Sequence, residues 1–259
     1  MEKNIHPIYG DLKNKHVLIT GGCNGIGEAL TRAFAQQGTE VTILDKDYEK
    51  GLIIAKECEK FDAKVNVYSV DLTDTLALTE TLGKIRKEKP VVSILINNAG
   101  YDPRYPLLEM SEKQWNDLFQ LNVVHYFVTC RELLPDMINA GGGSIIMTSS
   151  HVVWVAKPDM IAYNTTKAAI VGMVRSLAEA VGKYYIRVNA VAPGWTMTER
   201  QIQQWVTAEA KEKNLHQQQS IPVEITPNEL VGTYLFLASD SSKAITRQTI
   251  VVDGGYAQS

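Results

Sequence analysis

Short apolar runs alternate with longer stretches of mixed apolar and polar positions from one end of the chain to the other. The runs His16–Thr20, Glu40–Leu44, Lys64–Tyr68, Ser93–Asn97, Ser144–Thr148, Arg187–Val191 and Gln248–Val252 are centred on β-branched residues without strict alternation. A strand with one wet face would alternate, so this pattern predicts strands covered on both faces. Between them the spacing predicts helices over Ile26–Gln37, Thr75–Glu88, Glu112–Ala140, Ala162–Gly182 and Pro227–Ser239. Ser111 and Thr226 stand at helix-start positions, and Pro227 suits a first helical residue. Strand–helix alternation requires right-handed crossovers, which gives an α/β chain with a doubly wound, parallel seven-stranded sheet flanked by helices. No repeat or linker divides residues 1–259, and one domain is expected. Tyr101–Met110 and Gly194–Ser220, the latter with a helix-like stretch inside it, each follow a strand without a core-like pattern throughout, so residues 197–220 are expected to cover a substrate.

The first strand runs into Gly21-Gly22-Cys23-Asn24-Gly25-Ile26-Gly27. Glycines between a strand and a helix let the backbone turn sharply and approach a pyrophosphate, which the helix N-terminus attracts. Gly21, Cys23, Asn24, Gly25, Ile26 and Gly27 are therefore candidate dinucleotide contacts. Asp45 closes the second strand, where a carboxylate can accept from ribose hydroxyls and would repel a 2′-phosphate. NAD is favoured over NADP, although Lys46 beside it weakens that preference. Asp71 and Leu72 end the third strand and can face an adenine edge, with turn chemistry as the rival reading.

Tyr163 and Lys167 lie four residues apart on one predicted helix, with Ser150 upstream. Moving a hydride from a carbinol needs a group that takes and returns the hydroxyl proton. A phenol can do both, and a nearby cation favours its ionised form. Ser150 can hydrogen-bond the reacting oxygen, and Lys167 can also reach ribose hydroxyls. Asn122, a mediocre helix former in a predicted helix, can hold a backbone carbonyl or a water beside Lys167.

These features, with Asn97-Asn98-Ala99-Gly100, Pro193-Gly194 and Thr198, and Val252-Asp253-Gly254-Gly255, resemble the short-chain dehydrogenase/reductase family over nearly the whole chain. The resemblance implies a single Rossmann-type domain, a nicotinamide cofactor and often a homotetramer. It implies catalytic roles for Asn122, Ser150, Tyr163 and Lys167, and places Asn98, Ala99 and Gly100 near the adenosine ribose. Pro193, Gly194, Trp195, Thr196 and Thr198 would meet the nicotinamide side.

A narrower resemblance lies in Tyr9–Lys15, Asn98–Arg104 and Thr198–Gln201 with Trp205, which are similar to bacterial aldose 1-dehydrogenases. Those enzymes oxidise a sugar's anomeric hydroxyl to a lactone. Asp102, Arg104, His151, Trp154, Asn164 and Arg200, with Ser150 and Tyr163, become candidate substrate contacts. Tyr105 stands where such relatives often carry a histidine, and His151–Met160 maps onto no pattern. Cations including Lys157 equally suit a substrate with an acidic group. The rival enzyme reading is a secondary alcohol dehydrogenase or 3-oxoacyl-type reductase, with aromatics such as Tyr101 and Trp195 lining its pocket. A non-catalytic NAD-sensing protein is opposed by the filled catalytic positions.

A net charge of −3 without a basic block argues against nucleic acid. No run reaches the roughly 18 apolar residues that cross a bilayer, and Met1–Pro7 lacks a secretion signal's apolar core. Cys23, Cys58 and Cys130 are odd in number and far apart, which predicts reduced thiols, no metal site and a cytoplasmic enzyme.

Overall fold

The computed structural model describes residues 6–257; the extreme N-terminal stretch, Met1–Ile5, lies outside them. Seven strands form one parallel sheet: β1 (His16–Thr20), β2 (Glu40–Asp45), β3 (Val65–Ser69), β4 (Ile94–Asn97), β5 (Gly143–Thr148), β6 (Ile186–Pro193) and β7 (Thr249–Val252). Their order is β3-β2-β1-β4-β5-β6-β7. The winding reverses between β1 and β4, where Thr20 is level with Asn97. A crevice opens beyond the strand ends at such a reversal.

The helices are α1 (Gly25–Gln36), α2 (Tyr48–Cys58), α3 (Thr75–Glu88), α4 (Glu112–Phe119), α5 (His125–Asn139), α6 (Val152–Val155), α7 (Ile161–Val181), α8 (Glu199–Gln204), α9 (Ala208–Lys213) and α10 (Pro227–Ala238). Because side chains alternate across a strand, the sheet feeds two cores. Val17 and Ile19 pack with Leu30 and Phe34 of α1 and Tyr234 of α10. Leu18 packs on the other face with Leu82 of α3, Leu133 of α5 and Val174 of α7. Double coverage explains why the strand sequences do not alternate.

Two elements differ from the sequence expectation. Helix α2 was not expected, because its apolar residues do not form one stripe: Ile54 and Cys58 are buried while Leu52 and Ile53 are exposed. It forms because Asp47 caps it, accepting from the Lys50 N–H at 3.3 Å. The long helix over Glu112–Ala140 is two helices, α4 and α5, separated by a π turn at Gln120–Val124. Such a turn inserts a residue into the helical repeat, a device found mostly at functional sites. Here it buries the Asn122 amide.

Candidate active site

At the β1–α1 turn, Gly21 and Gly25 have φ of +67° and +53°, conformations that glycine adopts without steric cost. Helix α1 starts without a side-chain cap, because the Asn24 side-chain oxygen Oδ1 accepts from Lys50 Nζ at 2.7 Å instead. Its first N–H groups therefore remain available to an anion, which fits a pyrophosphate. Asn98 ties β4 to this turn: its Nδ2 donates to the Thr20 and Gly21 carbonyls, each at 3.2 Å. The Asp45 carboxylate accepts from the Cys23 and Asp47 N–H groups at 3.0 and 3.1 Å. It is thus held at the rim of the turn. Asp71 is partly spent on turn chemistry, since one oxygen accepts both the N–H and the hydroxyl of Thr73; the Leu72 side chain is buried. Thr198, which caps α8, packs so tightly on the α1 start that a Cβ at Gly25 would lie 3.0 Å from its methyl.

Cys23 is buried beside Asp45, and both facts push its thiol well above the usual range. All three cysteines are free and buried.

A cavity of about 350 Å³ lies beyond β4, β5 and β6. It brings together Ser150, Tyr163, Lys167, Asn98, Gly100 and the 193–198 loop. Ser149 also lines it, but its hydroxyl donates to the Lys167 carbonyl at 2.9 Å. Ser150 makes no such commitment to the backbone: its hydroxyl accepts a long bond from the Val152 N–H, 3.3 Å, and is hydrogen-bonded with the Tyr163 hydroxyl. Lys167 is buried, donates to the Thr148 carbonyl at 2.8 Å and lies 5.7 Å from the centre of the Tyr163 ring. Burial holds its ammonium down to about 8, against a pull upward from Asp102. A Cβ on Gly100 would sit 3.1 Å from Lys167 Nζ, so the backbone passes close to the amine.

Tyr163 differs from the simplest expectation. Burial, reinforced by the Asp102 charge, pushes its phenol well above the ordinary value, and a hydrogen bond with Ser150 only partly opposes this. In the free chain burial and the Asp102 charge therefore outweigh the opposing Ser150 hydrogen bond and Arg200 charge. Asn122 lies behind the cavity. Its amide nitrogen donates to the Tyr101 carbonyl at 2.9 Å, and its oxygen accepts from the Tyr101 N–H at 2.9 Å. It also donates to Thr166 at 3.1 Å, which joins the β4 loop to α7.

Of the expected substrate contacts, Asp102, Arg104, His151 and Arg200 line the cavity. Trp154 and Asn164 do not. Trp154 sits half-buried in the short helix α6. Asn164 is one residue past Tyr163, and a helical step of about 100° carries it off the Tyr163–Lys167 face. Asp102 pairs with Arg200 at 2.5 Å and accepts from Gln201 Nε2 at 2.7 Å; Gln201 in turn accepts from Trp195 Nε1 at 3.0 Å. Residues 197–220 carry α8, α9 and a π turn at Asn214–Gln218. Tyr256, Asp159 and Asn214 also line the cavity and carried no motif. Tyr256 had one usable signal: Gly254 and Gly255, with φ of +70° and +81°, fold the chain back over the sheet end. The Asp253 carboxylate fixes that fold. Burial pushes it up, but bonds from His151 (3.3 Å) and the Gly255 and Ala257 N–H groups hold it below the usual range.

A glycine-rich uncapped helix start and a Ser–Tyr–Lys group at the reversal of a parallel sheet define a nucleotide-dependent oxidoreductase. The chain belongs to the short-chain dehydrogenase/reductase family and acts on CH–OH donors: the family model described as Enoyl-(Acyl carrier protein) reductase matches residues 21–257. The chain is 38% identical to the "Probable galactose dehydrogenase GalD" of Rhizobium meliloti, covering 95% of this chain and 96% of that one. It is 34% identical to the D-xylose 1-dehydrogenase of Caulobacter vibrioides (96% and 98% covered). It is 35% identical to the 3-oxoacyl-[acyl-carrier-protein] reductase FabG of Thermotoga maritima (94% and 98%). Among solved structures, L-sorbose reductase from Gluconobacter frateurii, complexed with NADPH and L-sorbose, matches with a TM-score of 0.91 at 26% identity, covering 97% of this chain and 100% of that one. No helix among the described residues is long and apolar enough to cross a membrane.

Proposed function

We propose that the chain oxidises a sugar at its anomeric hydroxyl to the lactone, with NAD as oxidant and Tyr163 as the acid/base. The observation that carries this reading is one cavity in which Ser150, Tyr163 and buried Lys167 meet the polar wall of Asp102, Arg200 and Gln201. Two sugar dehydrogenases among the relatives support it. The α1 start, Asp45 and Asn98 would hold the dinucleotide, with Lys167 at its ribose and residues 193–198 at its nicotinamide end. Bound NAD would supply the hydride acceptor and a positive charge that favours the ionised phenol. The Ser150 hydroxyl orients the sugar oxygen, and Tyr163 takes its proton as the C–H bond gives up hydride. The lactone carbonyl forms from that C–O bond.

NAD is preferred because a 2′-phosphate would meet the Asp45 carboxylate. The nearby Lys50 cannot relieve that repulsion while it pairs with Glu28 at 3.0 Å. By family resemblance we also expect a homotetramer in the cytoplasm. A 3-oxoacyl-type reductase is the second reading, supported by the Thermotoga maritima relative; the charged wall is poorly matched to an acyl chain. The test is a panel of aldoses, hydroxyacids and aliphatic alcohols with NAD and NADP, on the native chain and Tyr163→Phe. Aldose turnover with NAD should fall roughly 10²-fold or more in the variant, with NAD binding within about tenfold. Turnover confined to apolar alcohols, or a fully active Tyr163→Phe, overturns the reading.

A further inference from the structure

The substrate cavity carries more positive charge than its own acids compensate. Arg104, Lys157 and Lys213 line it beside the Arg200–Asp102 pair. Among the described residues none of the three makes an ion pair, and besides Asp102 only one acid, Asp159, faces the cavity. The chain as a whole is negative, at −3, so this local excess runs against the overall balance.

Two further details point to a ligand. Arg104 stacks on the Trp205 ring, its guanidinium carbon 4.1 Å from the centroid. Three buried side-chain nitrogens lack a hydrogen-bond partner among the described residues, and two of them, Arg104 Nε and Trp205 Nε1, belong to this stack. Buried donors are nearly always paired; both nitrogens are sealed from solvent by the stack itself, and a shift that opens the stack toward the cavity would let oxygen acceptors satisfy them. Lys157 is held separately, its Nζ 3.1 Å from the Tyr256 hydroxyl and 5.4 Å above that ring. Ala156 immediately before it has φ of +46°, a strained conformation for a residue with a Cβ. The Tyr105 N–H donates to the Asp159 carbonyl at 2.9 Å, which stitches the Arg104 loop to the Lys157 loop.

We infer that the cavity takes a pyranose bearing an anionic group away from the anomeric carbon, with Arg104, Trp205 and Lys157 binding that group's oxygens. This deepens the sugar-oxidation reading and rests on it. A planar guanidinium fork and an indole N–H suit a carboxylate, sulfonate or phosphate alike, since each presents several acceptor oxygens.

The test compares pyranoses that differ at the remote carbon: a neutral hexose, the hexuronate, a 6-sulfonated hexose and a hexose 6-phosphate, each with NAD. One acidic sugar should exceed the neutral hexose in kcat/KM by roughly 10²-fold, and which arm does so identifies the anion. Arg104→Met and Lys157→Met should each cut that acidic preference, the ratio of kcat/KM for the acidic over the neutral sugar, about tenfold or more, chiefly through KM for the acidic sugar. Arg104→Lys should restore part of the loss. Equal or better turnover of the neutral hexose, or variants that lower both substrates alike, overturns the anion site and leaves sugar oxidation standing. No turnover of any pyranose, alongside turnover of apolar alcohols, overturns both.

Discussion

The two ends of the cleft are made of different material. At the proposed dinucleotide end the candidate recognition groups are mostly backbone: uncapped N–H groups at the start of α1, and a turn pinned by Asn98 to the Thr20 and Gly21 carbonyls. At the proposed substrate end they are side chains from distant segments, such as Asp102 with Arg200, His151 with Asp253, and Lys157 with Tyr256. Backbone geometry is fixed by the sheet and tolerates little change. Side chains on loops can be exchanged while the scaffold stays. One scaffold can therefore serve different substrates, as the sugar dehydrogenases and acyl reductases among the relatives illustrate.

If the dinucleotide end is backbone-built, adding a single side chain there should do the most damage. A Cβ at Gly27 would fall 1.8 Å from the Gly21 carbonyl oxygen, far inside any contact distance. Gly27→Val should cost about 3 kcal/mol or more, seen as lost soluble protein or a lower thermal midpoint, with NAD binding weakened in whatever folds. A variant that melts and binds NAD like the native chain would show that the turn has slack and would weaken the contrast.

The same contrast explains what could be read from the residues. Glycines at fixed steps between a strand and a helix are a local signal, and so is a Tyr–Lys pair one helical turn apart. Both were legible, as was a sheet whose strands are apolar on both faces. The π turn was not, because Gln120–Val124 has no sequence feature that separates it from α-helix; only the burial of Asn122 against Tyr101 reveals it. Helix α2 escaped because Leu52 and Ile53 are apolar yet exposed. The substrate wall is assembled from pairs about a hundred residues apart, as in Lys157 with Tyr256, and no local pattern encodes such contacts. Trp154 shows the converse error: an aromatic near the site in sequence that does not line it.

Lys167 sits where the two ends meet, and its cost can be measured through pH. Its folded-state value of about 8 lies below the ordinary 10.5. Below about pH 8 the lysine is charged in both states, and folding bears the full penalty of burying that charge. Between about pH 8 and 10.5 the unfolded chain holds the proton that the folded chain has released, so stability rises with pH. Lys167→Met should therefore be more stable than the native chain by about 1–3 kcal/mol at pH 7, while losing turnover. The Thr148 carbonyl freed by the change still accepts from Tyr126 at 3.3 Å. The gap should close as pH climbs from about 8 to 10.5 in chemical denaturation. A gap that stays constant with pH would mean that the amine is better solvated than its burial implies.

The smallest effect should come from loosening the substrate wall. Asp102 accepts from both Arg200 and Gln201, so it fastens α8 to the loop after β4. Asp102→Ala frees both donors and leaves Arg200 charged beside the Tyr101 ring, 5.1 Å from its centroid. None of the proposed dinucleotide contacts at α1 passes through this residue. KM for the sugar should rise roughly tenfold, the scale of a lost charge-assisted hydrogen bond, with the dissociation constant for NAD within about twofold of native. An equal loss in both constants would mean that α8 also positions the cofactor through Thr198, and the two ends of the cleft would then be one mechanical unit.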